Sequence, residues 1–165
     1  MLNTSVALRT ATETDVPVIL ELIQALAEYE RMSDDCVATE AKLRASLFGA
    51  HAGAEVVLAE LEGGAVAGFA LFCGNYSTFL AQPGLWLEDL FVRPEHRGRG
   101  IGRILLAHLA RIAVERGCGR VEWAVLDWNA PSIGFYESLG ARGMTEWTTF
   151  RLSGEAMTSL ARTSA

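Results

Sequence analysis

One stretch constrains this chain more than any other: Leu85 to Ile112, LWLEDLFVRPEHRGRGIGRILLAHLARI. It opens as an apolar and aromatic run and breaks at Arg93-Pro94. It then passes through Arg97-Gly98-Arg99-Gly100-Ile101-Gly102, and Ile101, Ile104, Leu105, Leu109 and Ile112 follow at three- and four-residue steps. That spacing belongs to an amphipathic helix. The stretch predicts a strand, a glycine-rich turn and a helix. N–H groups at a helix N-terminus lack intrahelical partners and carry partial positive charge. Glycines there let the backbone approach a ligand, and Arg97 and Arg99 add charge, so the turn suits a phosphate or pyrophosphate. The glycines fall at 98, 100 and 102, and residue 103 is Arg103. The spacing is thus neither Gly-x-x-x-x-Gly-Lys-[Ser/Thr] nor Gly-x-Gly-x-x-Gly.

The rest of the chain alternates around this unit. Val6–Arg9 reads as a strand. Thr12-Glu13-Thr14-Asp15 has capping-box form, with Pro17 in the first turn of a helix that carries Ile19, Leu22, Ile23 and Leu26 inward and runs to about Arg31. Thr39–Phe48 reads as a second helix. Ala54–Leu61 and Ala65–Cys73 read as strands joined at Glu62-Gly63-Gly64. Gly74–Gly84 reads as a polar and aromatic loop. Gly117 and Gly119 close the central helix. Arg120–Leu126 reads as a strand, Ser132–Leu139 as a short helix, Thr145–Leu152 as a final strand and Ser153–Ala161 as a last helix. The order predicts an α/β (α+β) domain, a mixed sheet with helices on both faces, and leaves the strand order open. A length of 165 residues fits one domain over 1–165 with a sizeable core.

Composition narrows the partners. A hydrophobic share of 50% with 21% charged residues is that of a soluble globular protein. A net charge of −6 argues against nucleic acid, whose phosphates are gripped by basic surfaces, and is compatible with a cationic substrate, although taken by itself it reads first as acidity that serves solubility. The three cysteines, odd in number and without Cys-x-x-Cys, read as reduced thiols of a cytoplasmic protein. The N-terminal MLNTSVALRT lacks the form of a signal peptide, and no apolar run reaches the length of a membrane span. No metal-ligand spacing occurs, and His96 reads as a solvent-exposed loop residue.

A second signature lies at Asp127 to Ala141, DWNAPSIGFYESLGA. Asn129 can cap a helix that Pro131 starts, and Ser132 and Tyr136, four apart, share a face. On spacing alone a packing tyrosine is the stronger reading of Tyr136. The pair Arg97-x-x-Gly100-x-Gly102 and Asn129-x-x-Ser132-x-x-x-Tyr136, however, resembles the GNAT superfamily of N-acetyltransferases. Within it, Leu8-Arg9-x-Ala11-Thr12, Leu26-Ala27-x-Tyr29-Glu30, Leu87-Glu88-Asp89-x-Phe91-Val92 and Trp128-Asn129-x-Pro131-Ser132-Ile133-x-Phe135-Tyr136 look most like the diamine (spermidine/spermine) and thialysine acetyltransferases.

That resemblance implies a splayed central sheet, acetyl-CoA as donor, a primary amine as acceptor, direct transfer and a homodimer. The pantetheine arm would lie between the diverging strands Leu85–Val92 and Arg120–Leu126. Phe91 and Val92 would offer it backbone groups. The N–H groups of Arg97, Gly98, Arg99, Gly100, Ile101, Gly102 and Arg103 would hold the pyrophosphate. Asn129 and Ser132 would touch the coenzyme, and Tyr136 would protonate the departing thiolate.

A lysine-like amine, with a pKa of about 10.4, must lose a proton before it can attack a thioester. Glu88 and Asp89 stand in an otherwise apolar strand, where an unpaired carboxylate is costly to bury. In a regular strand Trp86, Glu88 and Leu90 share one face, and Leu87, Asp89 and Phe91 the other, unless a bulge intervenes. By resemblance Glu88 is a base acting through water, and Asp89 and Glu30 help hold the cationic amine. A structural hydrogen bond for Asp89, and a solvated helix end for Glu30, are the alternatives. Gly74–Gly84 carries no carboxylate, which favours an amine shorter than a polyamine. A protein or peptide acetyltransferase and a non-catalytic coenzyme A-binding regulatory module are the rival functions.

Overall fold

A buried acid organises the start of the chain. Asp15 receives two hydrogen bonds of 2.8 Å from the Arg9 guanidinium, and the Thr12 N–H and hydroxyl donate to the same carboxylate at 2.7 and 3.0 Å. Arg9 also donates through Nε to Glu60 at 2.7 Å. The capping box of the sequence is therefore present, on a short 3-10 turn, Glu13–Asp15, that leads into the first helix. The structure is a computed structural model describing residues 5–163. Met1 to Thr4, part of the stretch read as lacking a signal peptide, lie outside the described residues.

Strand β1 (Val6–Thr10) is followed by helices α1 (Val16–Tyr29) and α2 (Glu40–Phe48), then strands β2 (Glu55–Leu61), β3 (Val66–Ser77) and β4 (Gln82–Val92). Helix α3 (Ile101–Glu115), the two-residue strand β5 (Val121–Glu122), and helices α4 (Ala130–Ser138) and α5 (Gly154–Ala161) complete the order. Among the described residues the five strands lie in the order β1-β2-β3-β4-β5, antiparallel throughout except for the parallel pair β4–β5. The chain forms two compact units, one ending at Ala124 and the other beginning at Val125.

The sheet is covered on both faces, as its alternating burial requires. Val56, Leu58, Phe69 and Phe91 form one core with Val16, Ile19 and Leu22 of α1 and Leu43 and Leu47 of α2. Side chains alternate along a strand, so buried Val57, Ala70 and Phe72 point to the opposite face, where α3 packs with Leu105 and Leu109. Each fully buried aliphatic side chain stabilises the fold by about 1.5–3 kcal/mol. Among the described residues no helix is long and apolar enough to cross a membrane. Cys36, Cys73 and Cys118 are free and half-buried.

Three expected elements differ. Gly74–Gly84 is not a loop. β3 and β4 stay paired from Gly74↔Leu85 to Ser77↔Gln82, and only Thr78–Ala81 turns. Cross-strand pairing overrides the weak strand preference of Gly, Asn and Pro. The strand expected at Arg120–Leu126 is confined to Val121 and Glu122, because β4 pairs with it only at Leu85↔Val121 and Trp86↔Glu122. There Glu122 takes hydrogen bonds from Asn75 (3.0 Å) and Arg120 (2.7 Å). The strand expected at Thr145–Leu152 is absent. Thr145 and Glu146 form a turn closed by the Trp147 N–H on Met144 C=O at 3.2 Å, the residues that follow pair with no strand, and Trp147 is 74% and Phe150 92% exposed. Apolar, β-branched residues make a strand only where a neighbouring backbone completes the ladder.

Candidate active site

A bulge in β4 creates the site. Asp89 pairs with Leu71, but the next pair is Leu87 with Phe72, which leaves Glu88 without an opposite residue. Leu71 packs against the α1–α2 core, whereas Phe72 belongs to the α3 face. Asp89 therefore shares the α1 face with Phe91, while Leu87 points to α3. Glu88 is on the α1 side as well, since its Oε2 accepts from the indole Nε1 of Trp86 at 2.7 Å, and Trp86 lies opposite Cys73 on that face. The extra residue thus turns two neighbouring carboxylates, which a regular strand would send to opposite faces, to the same side.

The electrostatics follow from this placement. Asp89 is pushed up to about 7, first by burial and then by the charges of Glu88 and Glu30. Glu30, at the C-cap of α1, is raised by burial. Cys73 is raised by burial and by the charge of Glu88. Like charges held together, one of them desolvated, disfavour full ionisation, and a cation placed among them relieves both penalties. Asp89 thus stands within the reach of both other acids.

Beyond Trp86 the β5-facing edge of β4 is unpaired by β5. Arg93 N–H donates to Ala67 C=O of the β3 side at 2.8 Å. Backbone groups alternate along an antiparallel strand, so Leu90 and Val92 direct theirs to the open edge. The backbone of Phe91 is turned to β3, with its carbonyl beside Gly68. The expectation that Phe91 offers backbone groups at that edge is corrected to Leu90, which the period-two alternation could have revealed.

The turn after β4 has the expected form. Pro94–His96 makes one 3-10 turn, Gly98 and Gly100 have φ of 75° and 78°, and Gly100 caps α3. Ile104 N–H is bonded to Gly100 C=O, so the N–H groups of Ile101, Gly102 and Arg103 precede the first intrahelical bond and stand at the positive end of the helix. These donors, with the Leu90 and Val92 edge leading to them, fit a coenzyme with an amide-bearing arm and a pyrophosphate. The Arg97 side chain folds back instead, donating through Nε to Val92 C=O at 2.9 Å. His96 is half-buried, and its Nδ1 is buried without a hydrogen-bond partner, contrary to the exposed residue expected.

In the second unit Asn129 is buried and caps α4, its side chain accepting from Ser132 N–H at 3.4 Å. Tyr136 lies on the same helix with its ring 5.3 Å from that of Phe135. Trp86, which the sequence reading passed over as a site residue, holds Glu88. Its signal was the i, i+2 spacing of an indole donor and a carboxylate on one strand. Among the described residues no group of three or more His, Cys, Asp or Glu is arranged to hold a metal ion.

Comparison with known proteins identifies the family. The model of the acetyltransferase (GNAT) family matches residues 19–141, a span that includes parts of both units. A thialysine N-epsilon-acetyltransferase of Sus scrofa is 40% identical over 95% of this chain and 98% of its own length. An L-ornithine N5-acetyltransferase of Arabidopsis thaliana is 35% identical over 93% of this chain and 86% of its own. An integron cassette protein from the mobile metagenome of V. cholerae superposes with a TM-score of 0.81 at 28% identity, covering 98% of this chain and all of that one. The chain belongs to the GNAT family and is an N-acetyltransferase.

Proposed function

We propose that this enzyme transfers the acetyl group of acetyl-CoA to the primary amine of a short diamine or of a thialysine- or ornithine-like amino acid. The observation that carries the reading is the convergence of Glu30, Glu88 and Asp89 on one face of the sheet, produced by the bulge at Glu88. The thialysine and ornithine acetyltransferases among its relatives support the substrate class. A cluster of three acids matches an amine with one or two cationic centres better than an extended polyamine. The resemblance extends the proposal to a single catalytic domain over 1–165, acting as a homodimer in the cytoplasm.

Bound at the open edge and the α3 N-terminus, the coenzyme supplies an acetyl thioester whose thiolate can leave. The chain's own residues do the rest. Leu90 takes the arm by its backbone groups, and Val92, whose C=O accepts from Arg97, by its N–H. The N–H groups from Arg97 to Arg103 take the pyrophosphate, and Asn129 and Ser132 lie in the motif that touches the coenzyme. Glu30 and Asp89 draw the ammonium in. Glu88 accepts its proton, directly or through one water. Its Oε2 accepts from Trp86, which orients the carboxylate and leaves Oε1 without a bond to the indole. The Tyr136 hydroxyl returns a proton to the leaving thiolate, in keeping with its place in the second motif.

Release of free thiol from acetyl-CoA, measured with putrescine, spermidine, thialysine, ornithine, lysine and a lysine-bearing peptide as acceptors, tests the reading. Turnover with the short amines, reduced about 10²-fold or more in Glu88→Gln and in Tyr136→Phe, is expected. Turnover with the peptide alone would transfer the activity to protein substrates.

A further inference from the structure

The Arg97 side chain reaches away from the loop it begins. Its guanidinium carbon lies 4.7 Å from the ring centroid of Tyr29 and 5.4 Å from that of Phe91, and its Nε donates to Val92 C=O at 2.9 Å. Tyr29 is the last residue of α1, immediately before Glu30. Phe91 and Val92 end β4, immediately before the turn that leads to Gly98 and Gly100. Residues with an α1-terminal, a strand and a loop address are thus drawn together by one planar cation. Arg suits this task and Lys does not. The delocalised plane of Arg lies over aromatic rings while its edge keeps N–H donors for a carbonyl, whereas an ammonium is a compact, strongly hydrated point charge.

We propose that Arg97 is a positioning residue, a strut whose side chain couples the coenzyme loop to the amine site through Tyr29. The proposal rests on the site reading given above. Ordering the loop around a pyrophosphate fixes Arg97. That fixes the end of α1 and the placement of Glu30, and by linkage an amine at Glu30 steadies the loop in return. The strut thereby serves as more than a source of positive charge for a phosphate. A charge alone would be supplied equally well by a lysine in place of Arg97 and would be indifferent to the ring of Tyr29.

Calorimetric titration distinguishes the two roles. Coenzyme A is titrated with and without thialysine, and thialysine with and without coenzyme A, on the wild type and on Arg97→Lys, Tyr29→Leu, Tyr29→Phe and the double variant Arg97→Lys/Tyr29→Leu. In the wild type each ligand should tighten the other by roughly 5-fold or more. Arg97→Lys and Tyr29→Leu should each bring that factor close to one, the double variant should be no worse than either, and Tyr29→Phe, which keeps the ring, should retain it. In turnover the amine KM should rise more than kcat falls. Coupling retained in Arg97→Lys, or weaker coenzyme A binding with the coupling factor unchanged, would overturn the strut and leave the site reading intact. A wild type that binds both ligands without coupling would do the same. A wild type that binds no coenzyme A would overturn the site reading and the strut with it.

Discussion

The indole of Trp86 donates to Glu88 at 2.7 Å, two residues along the same strand and immediately before the bulge that turns Asp89 to the same side. Strand geometry brings i and i+2 side chains together, and the indole N–H can only donate, so this contact orients the Glu88 carboxylate. Trp86→Phe keeps an aromatic ring and removes the donor. We expect kcat to fall about 3- to 10-fold with little change in the KM for acetyl-CoA, a small part of the roughly 10²–10⁴-fold that a positioned base contributes. Steady-state kinetics on both substrates check this, and an unchanged kcat would remove Trp86 from the mechanism.

Asp89 gives a signed pH dependence. Its carboxyl titrates near 7 in the folded chain and at about 3.9 when unfolded. The native state therefore binds more protons between those values, and its contribution to stability falls as pH rises from about 4 to 7. Urea unfolding in that window should show a decline on the order of 1–3 kcal/mol that Asp89→Asn abolishes. Conversely, an ammonium needs the ionised carboxylate, so the amine KM should drop as pH rises through 7 in the wild type and lose this dependence in Asp89→Asn.

Gly100 tests the loop without disturbing packing. A Cβ built there meets nothing within 4 Å, yet φ is +78°. Gly100→Ala should act through backbone strain alone, about 1–2 kcal/mol. If the loop tightens its conformation to hold the coenzyme, the acetyl-CoA KM should rise by roughly 5- to 30-fold with kcat at saturation little affected. An acetyl-CoA KM within twofold of wild type would show that the left-handed turn is not needed for binding.

Asp15 tests the fold apart from the site. Asp15→Ala strips Arg9 of its bidentate partner and Thr12 of its acceptor. Loss of a part-buried pair, with Arg9 38% exposed, and of a cap should cost about 1–3 kcal/mol and lower the Tm by several degrees. Arg9 holds the Asp15 carboxyl below the usual carboxylate range, so the wild type carries this stabilisation above pH ~4 and loses it as pH falls below that. The variant's acid limb should be correspondingly flatter. Thermal melts between pH 3 and 7 decide it.

By itself the sequence determined what is local. The capping Asp15, the amphipathic spacing of α1 and α3, the glycines at 98 and 100, the Asn129 cap of α4 and the two spaced motifs that carry the family are short-range patterns, and short-range sterics and hydrogen bonding are enough to read them. Tertiary structure decided everything that depends on a partner backbone. It lengthened the β3–β4 hairpin through Gly74, Asn75 and Pro83, cut β5 to Val121 and Glu122, and left Thr145–Leu152 unpaired. It also set the bulge. Whether Glu88 and Asp89 face together or apart is a matter of register against Leu71 and Phe72, residues distant in the chain. A strand's periodicity tells which residues alternate, but only its neighbour tells where the alternation slips, and the gathering of the acids depends on that slip.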